Sequence, residues 1–474
     1  MPEIQYPGVY VEELPFGVAP ITGVETSSTG FVGEASDGPQ LAATKVGSFA
    51  EFERAFGGLR SGSELGYAVL QFFANGGSEA WVVGVPAGTP LAEGLSCLEA
   101  ANELGLLCLP GETGVDVLRA ALDYAERRRA FLLVDPPGVE PDRAIALVAA
   151  LSGRGSANGA LFYPPVRIPD PLAADSLRTC PPSGAVAGMY ARNDLSRGVW
   201  RAPAGLNATL PGVVDAAVDL SDDDMSELTA AAVNCIRRLP ATGIVVWGAR
   251  TLAAGLQVDS EWKYVNVRRL ALFIEASLYR GTSWAVFEPN DEPVWARLRR
   301  QCALFLDGLF RAGAFQGRAP DQAYFVRCGR DTMTQDDVEQ GRLKLLVGFA
   351  PSKPAEFVIL EIGRNLAHVI TESLSTRGMP SEQLVLSHRP VCEEGVLLRV
   401  RGPEGWATWT AVDDLDGLGP QATVFVLHRE EGALIFGDGK NGAVPPAGAD
   451  NVQATYRYGA GSATKPGTKV CDEH

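Results

Sequence analysis

Histidine is the scarcest chemistry-bearing residue in this chain: there are 4, His368, His388, His428 and His474, and none lies earlier. That distribution removes Ser-His-Asp and Cys-His machinery, and any imidazole-ligated metal, from most of the protein. The 8 cysteines (Cys97, Cys108, Cys180, Cys235, Cys302, Cys328, Cys392 and Cys471) are scattered, with no CxxC and no paired spacing. Cys108 within Leu106-Leu-Cys-Leu109 and Cys302 within an apolar helix read as small core residues, reduced and suited to a reducing compartment. No apolar run approaches the ~18 residues of a membrane span, and the acidic start gives no expectation of a signal peptide. A basic excess is also missing. With 41 Lys+Arg against 57 Asp+Glu, the net charge is −16, which argues against a nucleic-acid partner. There is no P-loop and no HExxH. The glycine-rich Gly153-Arg-Gly-Ser-Ala-Asn-Gly159 follows a helix and breaks the dinucleotide spacing. No catalytic, cofactor-binding or metal-ligating residue is expected.

What is present is material for large cores: 46% hydrophobic residues, including 8 Trp and 19 Phe, in a chain of 474. That length implies two to four domains. The first informative element is a strand. Val9, Tyr10 and Val11 favour a pleated surface, while Pro7-Gly8 before them and Pro15, Gly17 and Pro20 after them exclude a helix and a tight hairpin. A strand on a stiff leash, with no partner of its own, points to pairing with another chain and so to assembly.

Buried-strand runs at Thr29–Gly33, Ala80–Val85, Gly105–Pro110, Ala130–Asp135 and Ala160–Tyr163 alternate with a short helix opened by the capping box Ser48-Phe-Ala-Glu51 and with helical stretches at 64–75, 113–128 and near 141–152. Short apolar runs joined by helices make βαβ units and a parallel sheet, an open α/β domain over about 25–165. A Pro- and Gly-rich excursion follows over 164–212. A helix is expected over Asp222–Arg238, a strand over Gly243–Arg250, and helices over 260–280 and 293–312, each with an apolar stripe. Strands are expected over Gln322–Arg327 and Arg342–Phe349. Pro351 and Pro354 then precede a second leashed strand, Glu356–Ile362, with Phe357, Val358, Ile359 and Leu360 at its centre. Residues 365–474 are turn-rich and β-like and read as a separate small β module.

Asp222-Asp-Asp-Met-Ser-Glu227 suits a helix N-terminus, where carboxylates complement the macrodipole, better than a cation site. Asp438-Gly-Lys-Asn-Gly442 reads as a hairpin turn. Arg297, Arg299, Arg300, Arg311, Arg318, Arg327 and Arg330 form a local basic zone on this acidic chain. Arg297, Arg300 and Arg311 share one face of the 293–312 helix, either a solvated face or a docking surface for an acidic partner.

These segments carry a resemblance. Tyr6-Pro-Gly-Val-Tyr-Val-Glu-Glu13, Gly30-Phe-Val-Gly33, Phe72-Phe-Ala-Asn-Gly-Gly77, Pro181-Pro-Ser-Gly-Ala185 and Gly198-Val-Trp-Arg-Ala-Pro-Ala-Gly205 resemble the contractile tail sheath proteins. So do Gly243-Ile-Val-Val-Trp-Gly-Ala-Arg-Thr251, Tyr264-Val-Asn-Val-Arg-Arg269, Phe287-Glu-Pro-Asn290 and Lys353-Pro-Ala-Glu-Phe-Val-Ile359. The likeness covers about residues 1–364 and looks nearest to sheaths of extracellular contractile injection systems. It implies an arm strand and leash (1–24), an α/β sheath domain (25–190), an assembly domain (191–352) and a C-terminal arm strand (353–364). It also implies a homo-oligomer of stacked hexameric rings around an inner tube. The mixed α/β assembly domain is completed by strands exchanged between subunits, 6–13 and 356–362. Baseplate and terminal cap proteins are the other implied partners, and cytoplasmic assembly into a phage tail or tail-like particle is the implied setting. The 293–312 helix is the candidate tube contact, through Arg297, Arg300 and Arg311. Residues 365–474 depart from the family pattern and, through Phe436-Gly-Asp-Gly439, Pro445-Pro-Ala-Gly448 and Ala454-Thr-Tyr-Arg-Tyr-Gly459, resemble a segment of baseplate assembly proteins. A baseplate-proximal or adaptor paralogue is the alternative reading, and an α/β hydrolase-like enzyme a remote one.

Overall fold

The computed structural model describes residues 20–101, 103–255, 260–352, 358–365, 368–389, 391, 396–403 and 405–458. Its first layer is built by strands β1 (Thr29–Glu34), β2 (Thr44–Val46), β3 (Ala80–Val85), β4 (Leu106–Cys108), β5 (Phe131–Val134) and β6 (Gly159–Tyr163). Helices α1 (Phe49–Phe56), α2 (Glu64–Ala74), α3 (Leu91–Cys97), α4 (Val115–Arg128) and α5 (Pro141–Ala150) connect them. Ser48 caps α1 by accepting from the Glu51 N–H at 3.3 Å, while the Glu51 carboxylate accepts from Gly47 rather than closing back on Ser48.

A small sheet of β7 (Val166–Pro169), β8 (Leu177–Cys180) and β9 (Asp215–Ala216) follows, with helix α6 (Ser183–Arg197) between β8 and β9. The expected excursion over 164–212 therefore contains a 15-residue helix. Its glycines explain why no apolar stripe announced it. A Cβ on Gly184 would meet the Ala68 carbonyl oxygen at 2.3 Å, and one on Gly188 the Phe72 carbonyl oxygen at 2.2 Å. The helix packs backbone to backbone against α2 and is buried nearly all round.

Helix α7 (Asp222–Ala230) stops earlier than expected. Ala232 takes a left-handed conformation (φ 63°), and the chain turns into β10 (Val233–Leu239) and then β11 (Gly243–Val246). Residues read as helix over 233–238 are thus strand: Val233–Cys235 pairs in parallel with Leu161–Tyr163. The sheet order is β11-β10-β6-β5-β4-β1-β3-β2, parallel at its centre and closed at each edge by an antiparallel strand. It draws strands from both sides of residue 190. Its two faces follow the two-residue strand period: Phe31, Phe131 and Leu133 pack with α1, α2 and α6, while Val32, Leu132 and Val134 pack with α3, α4, α5 and α7.

A second core gathers around α8 (Val265–Gly281) and α9 (Glu292–Arg311). The short α10 (Pro320–Ala323) leads into β12 (Tyr324–Arg327), and α11 (Gln335–Glu339) precedes β13 (Arg342–Phe349) and β14 (Val358–Asn365). The stripe expected on α9 is the buried one: Trp295, Leu298, Cys302 and Leu309 are core, with Phe305 packed against it.

Beyond it lies a β-rich unit of β15 (His368–Thr376), β16 (Gln383–Val385), β17 (Leu397–Gly402), β18 (Gly405–Val412), β19 (Val424–His428), β20 (Ala433–Phe436) and β21 (Gly448–Tyr458). They form one curved sheet in the order β15-β21-β17-β18-β19-β20-β16 around a core that includes Leu398, Trp409, Phe425, Phe436 and Tyr456. Asp438 accepts from the N–H groups of Lys440 (2.7 Å) and Asn441 (2.6 Å), so the Asp-Gly-Lys-Asn-Gly stretch is a turn. It is not a hairpin: β20 pairs with β16 and β19, and β21 with β15 and β17.

Candidate assembly surfaces

The second leashed strand lies mostly in β14. It pairs antiparallel with β13 of its own chain, from Arg342 opposite Asn365 to Phe349 opposite Val358. Val358, Ile359 and Leu360 are in this ladder; Phe357 and the N-terminal Val9, Tyr10 and Val11 lie outside the described residues. The three-stranded sheet runs β12-β13-β14, and among the described residues nothing pairs with the outer edge of β12 or β14. An open edge is a template for another strand.

Both leashes are anchored at their roots. Ile21 sits under Gly281, where a Cβ would meet it at 2.6 Å. The Val24 N–H donates to Ser277 Oγ (3.0 Å), and the Arg280 guanidinium donates to the carbonyls of Thr22 (3.4 Å) and Gly23 (3.3 Å). Arg269 reaches the Thr26 carbonyl (3.0 Å) while holding Asp194 in a two-toothed ion pair at 2.9 and 2.6 Å. Both side chains of that pair are only 3% exposed. Arg129–Glu275 (2.8 Å) and Arg280–Glu103 add further ties between α8 and the large sheet. At the other root, Phe315 and Pro351 form a bridge, and Gln316 N–H donates to the Ala350 carbonyl (2.9 Å). The sequence hid these clamps because each joins residues at least 34 positions apart.

Along α9, the arginines divide. Arg297 lies 3.9 Å over the Trp284 ring and near Glu288 (3.8 Å). Arg299 is tied to Glu292 and to the Cys328 carbonyl. Arg311 pairs with Asp307 at 2.7 Å but remains largely exposed. Arg300 is exposed and makes no ion pair among the described residues. Leu304, 54% exposed, falls between Arg300 and Arg311 on the same helical face. Sequence reasoning missed it, because an outward leucine is invisible beside a stripe of inward ones.

The buried titratable groups are structural. Burial pushes the thiols of Cys180, Cys302 and Cys328 up to about 12 and that of Cys235 to about 11. Thiols held that far above neutrality are poor nucleophiles. The six described cysteines are free, five of them buried. Asp135, fully buried at the end of β5, accepts from Gly111 N–H (3.0 Å), Ser183 N–H (2.8 Å) and Ser183 Oγ (2.7 Å), joining α6 to the sheet. Desolvation still wins over these bonds and raises its carboxyl to about 6. Asp224 completes a capping box with Ser221 at the start of α7, as suits the acidic run there. No cluster able to hold a metal ion occurs among the described residues, and no described helix is long and apolar enough to cross a membrane.

Two family descriptions match: "Phage tail sheath protein central domain" over residues 103–252 and "Phage tail sheath C-terminal domain" over 257–363. The sheath of an extracellular contractile injection system, the PVC sheath complex in its contracted state, aligns with a TM-score of 0.62 at 31% identity. That match covers 75% of this chain and 97% of the other. The chain belongs to the phage tail sheath family. Another match is a chain of the sixfold-symmetrised baseplate of the anti-feeding prophage: TM-score 0.59, 30% identity, 75% of this chain and 98% of that one. The tail sheath protein of Enterobacteria phage T4 is 24% identical over 191 residues, 40% of this chain and 26% of the T4 protein. The chain therefore matches only about a quarter of that curated relative's length. The family descriptions end at residue 363, so the β15–β21 unit lies beyond them.

Proposed function

We propose that the protein is the structural subunit of a contractile sheath, polymerised as stacked hexameric rings around an inner tube that contraction drives into a target envelope. The observation that carries this reading is the 31% identity to the PVC sheath across nearly the whole of that chain. The sixfold-symmetrised baseplate that holds the anti-feeding prophage relative supports rings of six.

The strands containing Val9–Val11 and Val358–Leu360 serve as exchanged arms. Strand β14 satisfies β13 within one chain, and the same ladder formed with a neighbour's β13 would satisfy the same backbone groups with no loss of hydrogen bonds. The clamped roots at Ile21–Thr26 and Phe315–Pro351 confine motion to the leashes, so subunits turn as rigid bodies about them. Contraction then needs no nucleotide: a metastable extended lattice buries more surface as it shortens. The Arg300–Leu304–Arg311 face of α9 is the surface for an acidic inner tube. Baseplate and terminal cap proteins complete the particle, which assembles in the cytoplasm.

The β15–β21 unit beyond the family region favours a second reading, a baseplate-proximal paralogue present in few copies. Electron microscopy of particles from the native source, with subunit stoichiometry from the same preparation, decides between them. A main sheath subunit dominates the gel and forms the tubes; a trace band beside another, dominant sheath protein would overturn the first reading.

A further inference from the structure

A cavity of about 500 Å³ beside α8 is lined by five arginines, four of them already ion-paired: Arg128 with Glu99, Arg129 with Glu275, Arg269 with Asp194 and Arg280 with Glu103. A second cavity, of about 400 Å³, differs. It lies where the Gly153–Gly159 turn meets the first turn of α8, with Ser156, Trp262 and Arg268 among its walls and Glu126 on its lining.

Arg268 is only 9% exposed. Its Nε donates to Asn158 Oδ1 at 2.9 Å, and Asn158 is itself fixed by donating to the Ala130 carbonyl at 3.1 Å. The guanidinium lies 4.7 Å from the Trp262 ring centre. The nearby acids are committed elsewhere, Glu126 to Arg154 (3.4 Å) and Glu275 to Arg129 (2.8 Å). Among the described residues no group accepts from either Nη of Arg268. A buried cation with no counter-ion is unfavourable, and burial already works against its charge.

We propose that this pocket binds a carboxylate group, its two oxygens on Nη1 and Nη2 of Arg268 and its aliphatic stem against Trp262. The Arg edge left after Nε is occupied matches a planar two-oxygen acceptor. Glu126 on the lining disfavours a doubly charged phosphate, whereas a singly charged carboxylate with an apolar stem suits the ring beside it. The carboxylate comes either from a small free acid or from an Asp or Glu of a second copy, of which this chain carries 57. The inference stands whether or not the protein is the main sheath subunit.

The test is calorimetric titration of the full-length chain with sodium propionate, against sodium chloride at matched ionic strength and against inorganic phosphate. Saturable propionate binding in the wild type is expected, weakened roughly tenfold or more in Arg268→Gln and severalfold in Trp262→Leu, which keeps the guanidinium. If Arg268→Gln does not fold, Trp262→Leu decides. No propionate binding in the wild type, unchanged binding in the folded variants, or tighter binding of phosphate would overturn the proposal. In assembled particles, lower polymer yield in Arg268→Gln together with competition by propionate identifies the source as a neighbouring copy. Unchanged assembly beside propionate binding identifies it as a free acid.

Discussion

Two buried carboxylates do opposite kinds of work. Asp194 is neutralised by Arg269 across a fully buried interface and fixes the Thr26 root of the N-terminal leash. Removing one partner of such a pair leaves an uncompensated charge, so Arg269→Ala is expected to lower stability by about 3–5 kcal/mol in denaturant unfolding. Asp135 has hydrogen-bond donors and no cation, and its carboxyl rises to about 6. The folded protein therefore holds that proton to a higher pH than the unfolded chain, whose Asp titrates near about 4. The group's contribution is fully present below about pH 4 and is lost as pH rises through about 6. In Asp135→Asn this component of the pH dependence should vanish from unfolding curves collected between pH 4 and 7. The whole curve should also sit lower, because an amide cannot accept three bonds in the same geometry. Neither role was legible in the sequence, since Asp135 ends an ordinary strand and Asp194 lies in a helix that composition concealed.

At the scale of elements, legibility followed the strength of periodic signals. Strands β1, β3, β5 and β6 were readable because each is a short apolar run bounded by glycine, proline or a helix start, and α9 because its stripe is regular. Helix α6 failed for the opposite reason: Gly184 and Gly188 are there for close backbone approach, and a helix buried on every side shows no stripe. The break between α7 and β10 failed because Ala230-Ala-Ala232 favours helix locally, and only pairing with β6 overrides it. The basic face of α9 was half legible. Its spacing placed three arginines together, but Arg297 is spent on Trp284, which belongs to the preceding segment. Charge reversal at Arg297 would strip the cover from that ring and confuse folding with binding. Arg300→Glu combined with Arg311→Glu is the cleaner probe: the melting temperature should change little, while co-sedimentation with the inner tube protein falls by roughly tenfold or more. Equal co-sedimentation would remove α9 as the tube contact.

At the scale of the whole molecule, the described residues form filled cores held by long-range ties, with clamps at Ile21–Thr26 and at Phe315–Pro351 where the proposed arms begin. A subunit built in this way can transmit force without deforming, because packed interiors move as units and leashes take up the rotation. Prolines in the sequence pointed to two leashed strands, of which the second lies mostly in β14 and the first lies outside the described residues. Nothing in the sequence pointed to the clamps where the leashes start. The β15–β21 unit follows β14 after two residues, 366 and 367, so any exchange of β14 carries that unit to the neighbour as well. Removing residues 1–14 leaves that unit in place, which makes the proposed N-terminal arm the better place to test exchange. The most direct measurement is negative-stain microscopy of the full chain beside a chain lacking residues 1–14, each expressed under conditions that give tubes from the full chain. The account predicts a soluble truncated chain with an unchanged circular dichroism spectrum and no tubes. Tubes of normal length from the truncated chain would contradict it.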